Sequence, residues 1–129
     1  MYKMDTGRRV VFTTMTGILS FEQVVSHAVA LKGDSKFHPS FSELLDLSGV
    51  TQSELTFEEL VKLAHTIDPF SPRARRAIVT DNELMYGTSR IYQAMREQES
   101  NIRVFRRIDE AHSWLGLARD SGAEERQSA

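Results

Sequence analysis

The sequence predicts an α/β fold: a mixed, largely parallel sheet of about five strands with four helices. Three observations predict it. Short β-branched runs alternate with segments whose apolar residues recur at helical spacing. Helix-start signals, a Ser or Thr followed three residues on by Gln or Glu, stand between strands. The alternation itself implies parallel strands joined by right-handed crossovers.

Taken in order, Tyr2 to Met4 reads as a short strand, turned at Asp5-Thr6-Gly7 into an antiparallel hairpin. Arg9 to Thr16 (RVVFTTMT) is the next strand, ending at Gly17. Ser20 and Gln23 form a capping box, and Phe21, Val24, Val25, Ala28 and Leu31 follow as one apolar stripe up to Gly33. Asp34 to Ser40 is a loop. Phe41 to Leu47 (FSELLDL) is a strand that turns at Ser48-Gly49. A second capping box, Thr56 with Glu59, opens a helix that presents Phe57, Leu60, Val61, Ala64 and Ile67 inward. Asp68-Pro69 stops it, because the residue before proline disfavours the α region. Phe70 to Arg73 is a loop. Arg76 to Thr80 is a short strand whose continuous apolar centre suits a buried parallel sheet. The third helix begins near Asp81-Asn82 and points Leu84, Ile91 and Met95 inward, with Gly87 letting it approach the sheet. Asn101 to Phe105 is the last strand. Ile108 to Leu117 is the last helix, with Ala111 and Leu115 inward and Trp114 on its flank. Residues 1–118 make one domain, and 119–129 a small, polar, frayed C-terminal tail.

Composition narrows the function. At 129 residues, 40% hydrophobic and 26% charged, the chain is a folded domain and not a disordered one. A net charge of −2 is not that of a polycation, so no nucleic acid partner is expected. There is no cysteine, which excludes disulfides, thiolate metal sites and thiol nucleophiles. No apolar run approaches the ~20 residues of a membrane span. The start lacks the apolar core of a signal peptide, so a cytoplasmic location is expected.

Catalytic patterns are missing too. Neither Gly-rich phosphate loop is present, nor is the G-x-S-x-G elbow. No pair among His27, His38, His65 and His112 has the i, i+4 spacing of a helical metal site. His27 and His65 read as boundary histidines with one face on the core, and His112 likewise. Glu58 and Glu59 lie in a first helical turn, where the dipole favours carboxylates. No catalytic residue, cofactor or metal is therefore expected, and the chain is not read as an enzyme. The clusters Arg73/Arg75/Arg76 and Arg103/Arg106/Arg107 read as solvated rims, with Arg106 and Arg107 candidate anion contacts at the carboxyl edge of the sheet. That edge is where open α/β sheets bind ligands. Its candidates are Ser48 and Gly49 after one strand, Thr80-Asp81-Asn82 after the next and Arg106 after the last, with Thr56, the cap of the intervening helix, facing the same side. Capping and turn formation come first for such residue types, a binding role second.

Leu44-Leu45-Asp46-Leu47-Ser48-Gly49-Val50, followed by a capped helix, resembles the strand–loop–helix of STAS domains, found in sulphate transporters and anti-sigma factor antagonists. The whole chain, over roughly residues 8–117, is similar to bacterial STAS-like proteins of uncharacterised function, through Met85-Tyr86-Gly87, Tyr92, Val104-Phe105 and Ala111-x-x-Trp114-Leu115. That group is related in fold to CRAL–TRIO lipid carriers. In the antagonists a D-S-S-G segment at the helix start carries a phosphoacceptor serine. The resemblance places Thr56 there as the candidate phosphoacceptor. Glu54, Leu55 and Phe57 depart from the pattern.

The resemblance implies a non-enzymatic regulatory or protein-interaction module that docks an unknown protein partner around Ser48, Gly49, Thr56, Phe57 and Asp81. The alternative is a small apolar-ligand or lipid-binding protein. A hydrolase comes third. The group also implies a homodimer.

Overall fold

The computed structural model describes residues 1–65 and 68–117. Its elements are β1 (Tyr2–Asp5), β2 (Val10–Leu19), α1 (Phe21–Lys32), β3 (Ser42–Ser53), α2 (Phe57–His65), β4 (Arg75–Val79), α3 (Glu83–Met95), β5 (Asn101–Phe105) and α4 (Ile108–Trp114). The five strands form one sheet in the order β1-β2-β3-β4-β5. β1 is antiparallel to β2, and every other neighbour pair is parallel. The predicted architecture is therefore the observed one. The tail at 119–129 and Ile67 lie outside the described residues.

Side-chain alternation along the strands divides the core into two faces. One face carries Met15, Leu47, Ile78 and Ile102, packed on Met85 of α3. The opposite face carries Leu44, Ala77 and Val79, packed on Ala111 of α4. A further cluster, Val11, Leu31, Phe41, Phe70 and Ala74, closes the amino end of the strands.

The helix starts follow from their caps. Ser20 accepts from the Gln23 amide at 3.2 Å, although the Gln23 side-chain oxygen finds no partner, so this box is half made. At Thr56 the box is complete: Oγ1 accepts from the Glu59 amide and Glu59 Oε1 accepts from the Thr56 amide, both at 3.1 Å. Asn82 caps α3 through the Leu84 and Met85 amides. These bonds satisfy backbone donors that a helix leaves unpaired at its start.

Three expectations are corrected. First, β2 does not end at Gly17 and β3 does not turn at Ser48-Gly49. Both strands run on, to Leu19 and Ser53. The pairing passes from Thr14↔Asp46 to Thr16↔Gly49, and from Gly17↔Val50 to Ile18↔Gln52, so β3 absorbs an extra residue twice. The turn-like residues serve as bulges, which tolerate Gly and bend the strand. Second, the inward stripe of α3 is misplaced. Leu84 and Ile91 are exposed, and Met85 and Ser89 are the buried residues, because Asn82 sets the start of the helix and so its rotation. Gly87 is solvent-facing, with open space where a Cβ would stand, so close approach to the sheet is not its role. Third, Phe57 of α2 points outward at 69% exposure, leaving Leu60 and Ala64 to the core.

Candidate functional site

The charged residues that the fold draws together lie at the amino end of the parallel strands. Glu43 and Arg76 are register partners on β3 and β4. Both project toward the face covered by α1, α2 and α3. Glu43 is 2% exposed, and its Oε2 accepts from Thr13 Oγ1 and from His27 Nε2, each at 2.8 Å. Its Oε1 lies 3.6 Å from Arg76 Nε, too long for a hydrogen bond. Arg76 turns its Nη1 to Asp68 Oδ2 at 2.7 Å and lays its guanidinium over the Phe70 ring, 4.5 Å from the centroid. Asp68 Oδ2 also accepts from Arg96 Nη2 at 2.7 Å, and Oδ1 from the Phe70 amide at 3.0 Å. Arg96 is further held by the Ala64 carbonyl and the Ser100 hydroxyl.

The result is a chain of alternating charges, Glu43, Arg76, Asp68 and Arg96, shielded from water. Burial alone would push the Glu43 carboxyl up. The hydrogen bond from His27 and the charge of Arg76 more than offset it, so the group is held below the ordinary carboxylate value. Burial would lower the Arg76 guanidinium, and the charges of Glu43 and Asp68 instead raise it. Tyr92 of α3 faces the same region, and its hydroxyl is pushed up, chiefly by burial.

This network borders a cavity of about 230 Å³ between the sheet and the three helices. Its walls are apolar: Met15, Leu19, Leu47 and Ile78 from the sheet, Val24 and Ala28 from α1, Leu60 and Leu63 from α2, Met85 from α3. His27, Lys32, Glu43, Asp68, Arg76, Thr88, Ser89 and Tyr92 supply the polar portion of the lining. The interior on this face is not fully packed.

The expected site residues lie elsewhere. Ser48 and Gly49 stand in β3 just past Asp46, the last β3 residue paired to β4. Asp81 follows β4 at the same edge and is exposed. Thr56 and Phe57 open α2, beyond the end of β3, and are exposed. These residues share the carboxyl edge, with no hydrogen bond or ion pair between any two of them. Arg106 is engaged by Glu83 and stacks on the Tyr86 ring at 3.8 Å, and Arg107 pairs with Asp109 at 3.0 Å. Their donors are directed to the chain's own carboxylates. Arg76 corrects the solvated-rim reading of its cluster, because it is largely buried in the network above. His65 is exposed rather than half on the core, whereas His112 is buried.

Sequence reasoning missed Glu43, Asp68, Arg76 and Arg96. A signal was present: Glu43 interrupts an apolar strand, and Arg76 occupies the matching early position in the next parallel strand. A charge on the inward face of each of two adjacent buried strands has few partners except the other.

Among the described residues no three His, Asp or Glu side chains are placed to hold a metal ion. No helix there is long and apolar enough to cross a membrane.

The sheet order, the three helices on one face and the short α4 on the other define an α/β fold of the STAS-like type. Among solved structures, an uncharacterised DUF3478 family protein from Shewanella loihica PV-4, described as having a SpoIIAA-like fold, matches with a TM-score of 0.53. Sequence identity is 21%, over 82% of this chain and 83% of that one. The chain thus has a SpoIIAA-like fold, as the sequence resemblance implied. No known family matches the sequence, and no curated protein does.

Proposed function

We propose that the chain is a binding protein for a small apolar ligand, held between the sheet and α1–α3, and not an enzyme. The observation that carries this reading is the cavity of about 230 Å³ with apolar walls and an ionic end. An apolar cavity of ~150 Å³ accepts benzene, so by volume this one suits a ligand of about nine heavy atoms. Apolar walls with a few polar groups at one place are the common form of a small-molecule site. The charged side chains at the polar end are largely committed to one another, which favours holding a ligand over transforming it.

The test is an NMR titration of the full chain with 1-octanol. Saturable amide shifts confined to the lining residues are expected, and Ser89→Phe should abolish them by filling the space. Absence of any saturable shift in the wild-type chain would remove the reading, whatever the variant does.

A second reading rests on a separate observation, the exposure of Phe57 beside the exposed Thr56 cap. A large aromatic side chain left in water at a helix start suits a docking contact. In this reading the start of α2 docks a protein partner. A partner retained by the wild-type chain and lost by Phe57→Ser would support it, and equal retention by both would remove it.

A further inference from the structure

We infer that the cavity is built for a neutral ligand ending in a hydroxyl, and that it discriminates against the matching carboxylate. This rests on the ligand-binding reading above and specifies its chemistry.

The argument starts from what the polar end still lacks. Asp68 is engaged on both oxygens: Oδ1 takes the Phe70 amide, and Oδ2 takes Arg76 and Arg96. Arg96 is spent on Asp68, the Ala64 carbonyl and Ser100. Glu43 Oε2 is occupied by Thr13 and His27. Within this network, two atoms face each other without a hydrogen bond. Arg76 Nε is buried and donates no hydrogen bond. Among the described residues Glu43 Oε1 accepts none, and the two atoms are 3.6 Å apart. An unpaired buried donor such as Arg76 Nε is costly, and Glu43 Oε1 is too far away to satisfy it. Tyr92 lines the same cavity.

One donor and one acceptor side by side select a head group that accepts and donates at once. A hydroxyl does both: its oxygen accepts from Arg76 Nε and its proton goes to Glu43 Oε1. A carboxylate only accepts. It would leave Glu43 Oε1 unmet and bring a like charge against it. An alkylammonium only donates, and would meet Arg76. A neutral alcohol or phenol of about nine heavy atoms fits both the volume and the inventory.

The experiment measures affinities by calorimetry on the full chain at neutral pH. Its probes are 1-octanol, octanoate and 1-methoxyheptane, an ether with the alcohol's atom count and no donor. The alcohol should bind at least tenfold more tightly than the ether, although the ether is the more apolar, and at least tenfold more tightly than octanoate. In Glu43→Gln, which removes the negative charge, octanoate affinity should rise tenfold or more. An ether or octanoate that binds wild type as tightly as octanol overturns the inference and leaves the ligand-binding reading standing. So does octanoate binding that is unchanged in a folded Glu43→Gln. Failure of every probe to bind removes both.

Discussion

His27 and Glu43 meet 2.8 Å apart, Nε2 to Oε2, where α1 crosses the amino end of β3. This contact pins a helix to the sheet at a point with little apolar packing, since Leu31 is the one fully buried residue of α1. It also links stability to pH. The Glu43 carboxyl titrates below its ordinary value of 4.5 in the folded chain. The unfolded chain therefore takes up the proton first as pH falls. The stabilisation is complete above the unfolded value and is lost progressively as pH drops through the folded one. Urea midpoints measured from pH 7 down to pH 3 should hold until about pH 5 and then decline. In Glu43→Gln the decline should be shallower. An equal decline in both chains would show that other carboxylates set the acid response.

Asp68 joins two arginines, and removing it should cost more than removing any surface charge. Asp68→Ala leaves Arg76 and Arg96 buried beside each other without their shared anion. Breaking a buried pair from one side typically costs about 3–5 kcal/mol. Chemical denaturation should show a loss of about that size. Glu58→Ala, which removes an exposed partner of Lys62 at 3.8 Å, should change stability by less than about 0.5 kcal/mol.

The element order was legible in the sequence because each element carries its own local signal. Ser20, Thr56 and Asn82 mark helix starts that the structure places within a residue, since a cap acts on the amides of the next turn alone. Strand ends were less legible. Ser48 and Gly49 are turn formers by local preference, yet β2 runs beside them and supplies hydrogen-bond partners, so tertiary pairing overrides the preference. The polar end of the cavity was the least visible. Glu43 is separated from Arg76 by a whole crossover, and only the parallel register Glu43↔Arg76 makes them neighbours. Attention to the carboxyl edge, where such sheets usually bind ligands, pointed away from the amino end, where these charges sit.

At the start of α2, Thr56 acts through a hydroxyl and a reciprocal glutamate. Thr56→Ala removes the bond to the Glu59 amide and should cost about 1 kcal/mol. Thr56→Asp keeps an acceptor at the cap and favours the helix dipole, so it should stay within about 0.5 kcal/mol of wild type. The neighbouring Glu58 and Glu59 oppose the added charge and keep the gain small. Thermal unfolding of the two variants side by side decides it. An alanine as stable as the aspartate would mean that the cap contributes nothing.

Gly49 sits opposite Thr16 at the first bulge of β3. A Cβ there would come 2.7 Å from Thr16 Cγ2 and 3.3 Å from its Cβ, closer than packed carbon atoms tolerate. Thr16 is β-branched on a strand, so its methyl has little freedom to move away. Gly49→Ala should therefore destabilise by about 1–3 kcal/mol, as overpacking usually does. Thr16→Ala removes the closest atom. Thr16 is exposed, so the single substitution should cost little, and the double variant should recover much of the Gly49→Ala loss. A coupling of about 1 kcal/mol or more between the two is the expected signature of direct contact. Gly17 provides the contrast. Nothing lies within 4 Å of a Cβ added there, but its φ is +73°, so Gly17→Ala is strained by backbone conformation. Thr16→Ala should leave that loss unchanged. Rescue of Gly17→Ala, or additivity at Gly49, would show that the bulge is set by something other than the clash with Thr16.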